Sequence, residues 1–187
     1  LRDILCDYFR AKGEEPVGLE NGQQAVEWME GHEADAVLLD ILMPELDGFT
    51  VCRALRRHSS VPIMADESCW DSKDALRLVS EHAVDYINIK LMKCGGIYEA
   101  KKIVAISEAS GVECMLGCMA EESGIGITAA ASLGAGMKNI TRADLDATFS
   151  LKALPFEGGF DVKDTRHLVL SSEAGLGIRS LKKEMFS

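Results

Sequence analysis

The sequence predicts an α/β protein in which parallel βα units form a curved or barrel-like sheet, followed by a C-terminal hairpin segment. Two observations carry this. Short apolar runs, among them Ala36–Leu39 and Val61–Ala65, alternate with stretches of helical period, and strands that are apolar on both faces belong to parallel sheets covered by helices. From Lys152 the pattern changes: "LPFEGGFDVKDTRHLVL" has a Gly pair and β-type alternation but little helix. At 187 residues the chain holds one α/β domain or two small ones, and it falls short of the roughly 250 residues of a complete eightfold barrel.

Taken in order, Leu1, Ile4, Leu5, Tyr8 and Phe9 recur at helix spacing up to Gly13, which places any strand preceding this helix, and any leader, before the first residue. Pro16–Leu19 reads as a weak strand, Gln24–Met29 as helix, Asp35–Leu39 as a buried strand ending on Asp40, and Phe49–Arg57 as a helix with a basic outer face. Val61–Ala65 is the next strand, and Ser72–Glu81 the next helix with Ser72 as its cap. Tyr86–Ile89 (strand), Tyr98–Ser110 (helix), Val112–Leu116 (strand), Ile125–Gly134 (a helix of small residues) and Leu145–Phe149 (strand) continue the rhythm. The organisation expected is a segment 1–63, a segment 64–150 and a capping segment 151–187 on one continuous core, with a sheet of about six strands. Pairing of two chains into a homodimer would cover exposed strand edges.

The net charge of −10 argues against nucleic-acid binding, which needs many Lys and Arg contacts to phosphate. No apolar run reaches the roughly 18 residues of a membrane span. The six cysteines form no CxxC pair and lie within apolar segments, which reads as reduced core residues and a cytoplasmic protein.

Ligands of parallel α/β folds bind at the carboxyl ends of strands. The polar residues there are Asp40, Asp66 and Glu67, Lys90, Glu121 and Glu122, and Asp144 and Asp146. Several carboxylates facing one lysine suit a hard cation such as Mg²⁺, whereas solvation alone also places charge at strand ends.

Two resemblances follow. "DAVLLDILMPELDG", with "LENGQQAVEWM" before it and "CRALRRHSSVPI" after it, resembles the phosphoacceptor strand and loop of response-regulator receiver domains, which are flavodoxin-like. It implies that Asp40 accepts a phosphoryl group from a histidine kinase or small phosphodonor. The receiver's paired acidic residues would precede Leu1, and Glu67 stands where the family has a hydroxyl.

From Pro62 to Leu181, "PIMADES", "DYINIKLMKCGG", "CMLGCMAEESGIGITAAASLGAG" and "ITRADLDATF" resemble the second half of the TIM-type barrel in the enolase superfamily, nearest its dipeptide epimerases. That resemblance implies Mg²⁺-assisted proton abstraction α to a carboxylate of a dipeptide. Asp66 is then a metal carboxylate and Lys90 the acid/base lysine, while Lys93 is a surface residue. Asp144 and Asp146 receive the substrate ammonium, and Glu122 lies on the substrate side. Enolate charge needs a neutralising cation, and the base must be held beside it. The family's second lysine and other metal carboxylates have no match in 1–63, so the Mg²⁺ site is incomplete and efficient epimerisation by this chain alone is not expected. Together the resemblances suggest a hybrid, by fusion or design, with its seam between Val61 and Met64. The other expectations are a phosphoacceptor module using Asp40 and a chimeric scaffold without native activity.

Overall fold

The computed structural model describes residues 2–39, 48–58, 60–150, 153–164 and 166–182. They group into two compact units: 1–63 with 81–84, and 64–80 with 85–187.

In the first unit, helix α1 (Arg2–Ala11) buries Cys6. Helix α2 (Gly22–Met29) starts at Asn21, whose side chain accepts a hydrogen bond from the Gln24 amide at 2.9 Å, the usual way of satisfying an orphan donor of the first turn. It packs on α3 (Gly48–His58) through Met29, Val51 and Leu55, joined by Val26, Trp28, Ala34, Leu39 and Ile63. The basic face of α3 is used locally: Arg53 pairs with Glu81 at 2.8 Å, and Arg56 donates to the His82 carbonyl at 2.7 Å.

The strands expected at Pro16–Leu19 and Asp35–Leu39 do not form, and Val61–Ile63 is not strand either. Leu38 is 74% exposed. A parallel strand exists only where a neighbouring strand takes up its N–H and C=O groups, and no strand lies in this unit among its described residues. The flavodoxin-like sheet is therefore not seen there. Asp40 lies outside the described residues.

In the second unit, four parallel strands stand in chain order. They are β1 (Met64–Ala65), β2 (Tyr86–Lys90), β3 (Glu113–Gly117) and β4 (Ile140–Asp144). Helix α4 (Ser72–Ser80) follows β1, the one-turn α5 (Leu91–Cys94) and then α6 (Ile97–Ala109) follow β2, and α7 (Gly124–Gly136) follows β3. The cap of α4 is Asp71 and not Ser72: Asp71 Oδ1 accepts from the amides of Lys73 at 2.8 Å and Asp74 at 3.0 Å. Asp74 in turn accepts from the Asp71 amide at 3.3 Å and from the Trp70 amide at 2.9 Å, a reciprocal pair at the helix start. Leu78, Ile87, Ile89, Ile103, Leu116 and Ile127 are fully buried, as expected where helices cover a parallel sheet.

The strand read at Leu145–Phe149 is instead β4 ending at Asp144, followed by a short helix α8 (Ala147–Ser150). Beyond it, β5 (Phe156–Gly158) pairs antiparallel with β8 (Ile178–Leu181), and β6 (Phe160–Asp164) pairs with β7 (His167–Leu170). Phe160 packs with Ile127 and Ala147, so the hairpin segment closes over α7 and α8.

Candidate active site

Parallel strands end on the same edge of their sheet, so register decides which residues meet there. Lys90 is paired with Gly117 and Gly117 with Asp144. Asp66 is the residue just beyond β1. Adjacent strands lie about 4.8 Å apart, which puts the Asp144 backbone roughly 10 Å from that of Lys90 across β3.

Asp66 is the hub. Its Oδ2 lies 2.8 Å from Lys90 Nζ and accepts from Asn88 Nδ2 at 3.1 Å. Its Oδ1 accepts from Lys93 Nζ at 2.9 Å. Burial pushes the Asp66 carboxyl up, but the hydrogen bonds and charges of Lys90 and Lys93 outweigh it and hold the group below its ordinary value. For Lys90, burial pulls the ammonium down, and its contacts with Asp66 and Glu67 more than reverse that. Glu67 Oε1 is 3.3 Å from Lys90 Nζ and mostly exposed. The Asp66 and Glu67 carboxylates thus share Lys90.

Lys93 is not a surface residue. Its side chain is 2% exposed, and its ammonium also donates to the carbonyls of Asp66 and Asn88. Asn88 was likewise not singled out from the sequence. Its amide lies against Gly117, where a Cβ would come within 2.6 Å of Asn88 Oδ1. The signal for Lys93 was its place three residues after Lys90, between the apolar residues of "KLMKC" and ahead of a Gly pair.

Asp144 and Asp146 are exposed at the end of β4, and Cys118 Sγ donates to Asp146 Oδ1 at 3.4 Å. Glu122 is not with them at the surface: it is 1% exposed. Its Oε2 accepts from the Met119 amide at 3.1 Å, while Oε1 is buried without a partner. Burial raises its pKa.

The donors do not fit a Mg²⁺ centre. That ion takes near-octahedral oxygen ligands, whereas Asp66 brings one carboxylate and both of its oxygens face ammonium groups. Among the described residues, no group of three His, Cys, Asp or Glu side chains gathers closely enough to hold a metal.

The carboxyl ends of parallel strands are also where α/β barrels hold their active sites, and comparison gives the family: residues 17–183 match the enolase C-terminal domain-like model, and the chain belongs to that family. It is 50% identical over 155 residues to the hydrophobic dipeptide epimerase of Enterococcus faecalis, an alignment covering 83% of this chain and 43% of that protein. A crystal structure of the dipeptide epimerase from E. faecalis V583, complexed with Mg and the dipeptide L-Leu-L-Tyr, superposes with a TM-score of 0.67 and 56% identity. That match covers 71% of this chain and 37% of the other. The N-succinyl Arg/Lys racemase of Bacillus cereus matches over 89% of this chain and 44% of its own, with a TM-score of 0.72 and 27% identity.

The chain thus spans under half the length of these relatives. The family match begins at residue 17 and runs through most of the segment read as receiver-like, so the comparisons support the enolase-type reading and give the receiver reading no support. No described helix is long and apolar enough to cross a membrane.

Proposed function

We propose that this chain carries one face of a dipeptide-epimerase site, with Lys90 as the acid/base for the proton α to a dipeptide carboxylate. Asp144 and Asp146 receive the substrate ammonium. The observation that carries the reading is the juxtaposition of Lys90 and Asp66, 2.8 Å apart at adjacent strand ends, in a chain whose relatives are dipeptide epimerases.

In this reading Lys90 gives a proton from its ammonium to solvent, its neutral amine takes the α proton while the C–H electron pair passes into the substrate carboxylate as an enediolate, and the same Nζ then returns a proton to the carbon. Deprotonation and reprotonation from one side exchange hydrogen without inverting the carbon, because inversion needs a second group on the opposite face. A carboxylate pair at the end of β4 suits a substrate ammonium, since charge-assisted hydrogen bonds fix orientation as well as attract. Asp66 and Glu67 keep Lys90 at the strand end when no substrate is there.

The test is deuterium incorporation at the α-carbon of L-Leu-L-Tyr in D₂O, followed by proton NMR. Slow exchange without inversion is expected, lost in Lys90→Ala and weakened at subsaturating dipeptide in Asp144→Asn. Exchange undiminished in Lys90→Ala would remove the assignment.

A second reading is favoured by one observation. The unit boundary between Ile63 and Met64 coincides with the seam expected of a hybrid, against a family match that runs across it from residue 17. The chain would then be a hybrid whose first unit accepts phosphate on Asp40. Treatment with acetyl phosphate should leave an acyl-phosphate that is absent in Asp40→Asn, and intact mass without that increment argues against it.

A further inference from the structure

We infer that Lys93 is the resident cation of this site: a buried ammonium that positions Asp66 and assembles the carboxyl end of the sheet without a divalent metal. An ammonium has three N–H donors and no acceptor. Here it meets three acceptors: Asp66 Oδ1 at 2.9 Å, the Asp66 carbonyl, and the Asn88 carbonyl at 3.1 Å. Every donor is satisfied, at a residue whose side chain is 2% exposed.

The location is built and not incidental. Asp66 lies at the end of β1, Asn88 within β2, and Lys93 in the single turn of α5 that follows. The Gly95 amide donates to the Leu91 carbonyl, and Gly95 closes that turn in the left-handed conformation at φ +83°. One ammonium therefore ties the end of one strand to its neighbour and to the turn after it.

The tie also divides the two oxygens of Asp66. Lys93 takes Oδ1 on the buried side, while Oδ2 is left to Lys90 and Asn88. Lys93 is thus a positioning residue, acting through Asp66, and Lys90 is the lysine at the mouth. Removing the Asp66 charge leaves the Lys93 ammonium buried and uncompensated, which costs far more than replacing both partners by neutral groups. That asymmetry separates a resident cation from a side chain that only fills space.

The inference rests on the proposed function only for the location of the site, and its test uses no dipeptide. Urea unfolding would be compared for the wild type, Asp66→Asn, Lys93→Met, Lys93→Arg and the pair D66N/K93M. Asp66→Asn and Lys93→Met should each lower the midpoint, Lys93→Arg should retain more of it, and adding K93M to D66N should raise the midpoint above that of D66N alone, because D66N leaves the interior Lys93 ammonium without its carboxylate. Exchanging NaCl for MgCl₂ at equal ionic strength should leave the wild-type midpoint unchanged.

A packing role for Lys93 would give no such recovery. A double variant no more stable than D66N, or one that fails to fold as D66N does, overturns the inference. So does a Mg²⁺-induced rise in the wild-type midpoint that disappears in Asp66→Asn. Absence of α-proton exchange with a positive coupling would remove the proposed function and leave this inference standing.

Discussion

At the scale of single residues, a buried carboxylate decides more than the exposed ones do. Glu122 has one oxygen hydrogen-bonded to the Met119 amide and one with no partner, and burial raises its pKa. A group whose folded pKa is raised favours the fold most when protonated. Its contribution is complete below the unfolded value of about 4.3 and is lost as pH rises through the folded value. Glu122→Gln removes the buried charge while leaving one buried polar atom without a partner, so it should raise stability at pH 7. Urea unfolding at pH 5 and pH 8 checks it, and the gain should be larger at the higher pH.

Gly117 is a second residue with a definite requirement. A Cβ there would come within 2.6 Å of Asn88 Oδ1, and Asn88 also donates to Asp66. Gly117→Ala should cost about 1–3 kcal/mol, as small-to-large changes in packed interiors do, and it should loosen the grip on Asp66. Thermal unfolding reads the first effect, and a reduced coupling between Asp66 and Lys93 reads the second.

At the scale of elements, the helices that cover the sheet are joined by charge as well as by apolar packing. Glu99 in α6 pairs with Lys102 and accepts from the Ser72 amide at the start of α4, at 2.7 and 2.9 Å. The Lys102 hydrogen bond, followed by those from Ser72, lowers its pKa to about 2. A depressed carboxyl contributes stability above its unfolded pKa, near 4.3, and loses it as pH falls toward the folded value. Glu99→Gln should therefore lower stability at pH 7, where the ionised group contributes in full, and flatten the acid limb between those values, as measured by unfolding across that range. In the hairpin segment, Gly158 has φ +87°, and a Cβ there would meet the Gly177 carbonyl at 2.1 Å. Gly158→Ala should unpair β5 from β8, read as loss of protection in amide exchange.

Elements also show what was legible beforehand. The order β1, α4, β2, α6, β3, α7 was readable because apolar runs and helical periods alternate there without interruption. The same kind of apolar run at Asp35–Leu39 forms no strand. A helix closes its own hydrogen bonds, whereas a strand needs a partner that local sequence does not name.

At the scale of the whole molecule, the four-stranded sheet ends on β1 and β4 among the described residues. Thr141, Arg142, Ala143 and Asp144 are all exposed. An edge strand with unpaired backbone groups is a template for another chain. Concentration-dependent self-association is the expected result in sedimentation velocity. Placing a lysine on the edge, as in Ala143→Lys, should reduce it.

The sequence by itself determined the βα order of the second unit as far as α7, the enolase-type family of that part, and the places of Asp66 and Lys90 at strand ends, while it set the last strand after Asp144 where the structure ends it on that residue. Those follow from periodicity and motif spacing, which are properties of neighbouring residues. The tertiary structure alone decided that Lys93 is interior, that Glu122 is sealed off with an orphaned oxygen, and that Asp66 divides its oxygens between two lysines. Each of these depends on which atoms from distant parts of the chain surround a side chain, and a lysine written in a sequence looks the same in water as in a buried ion pair.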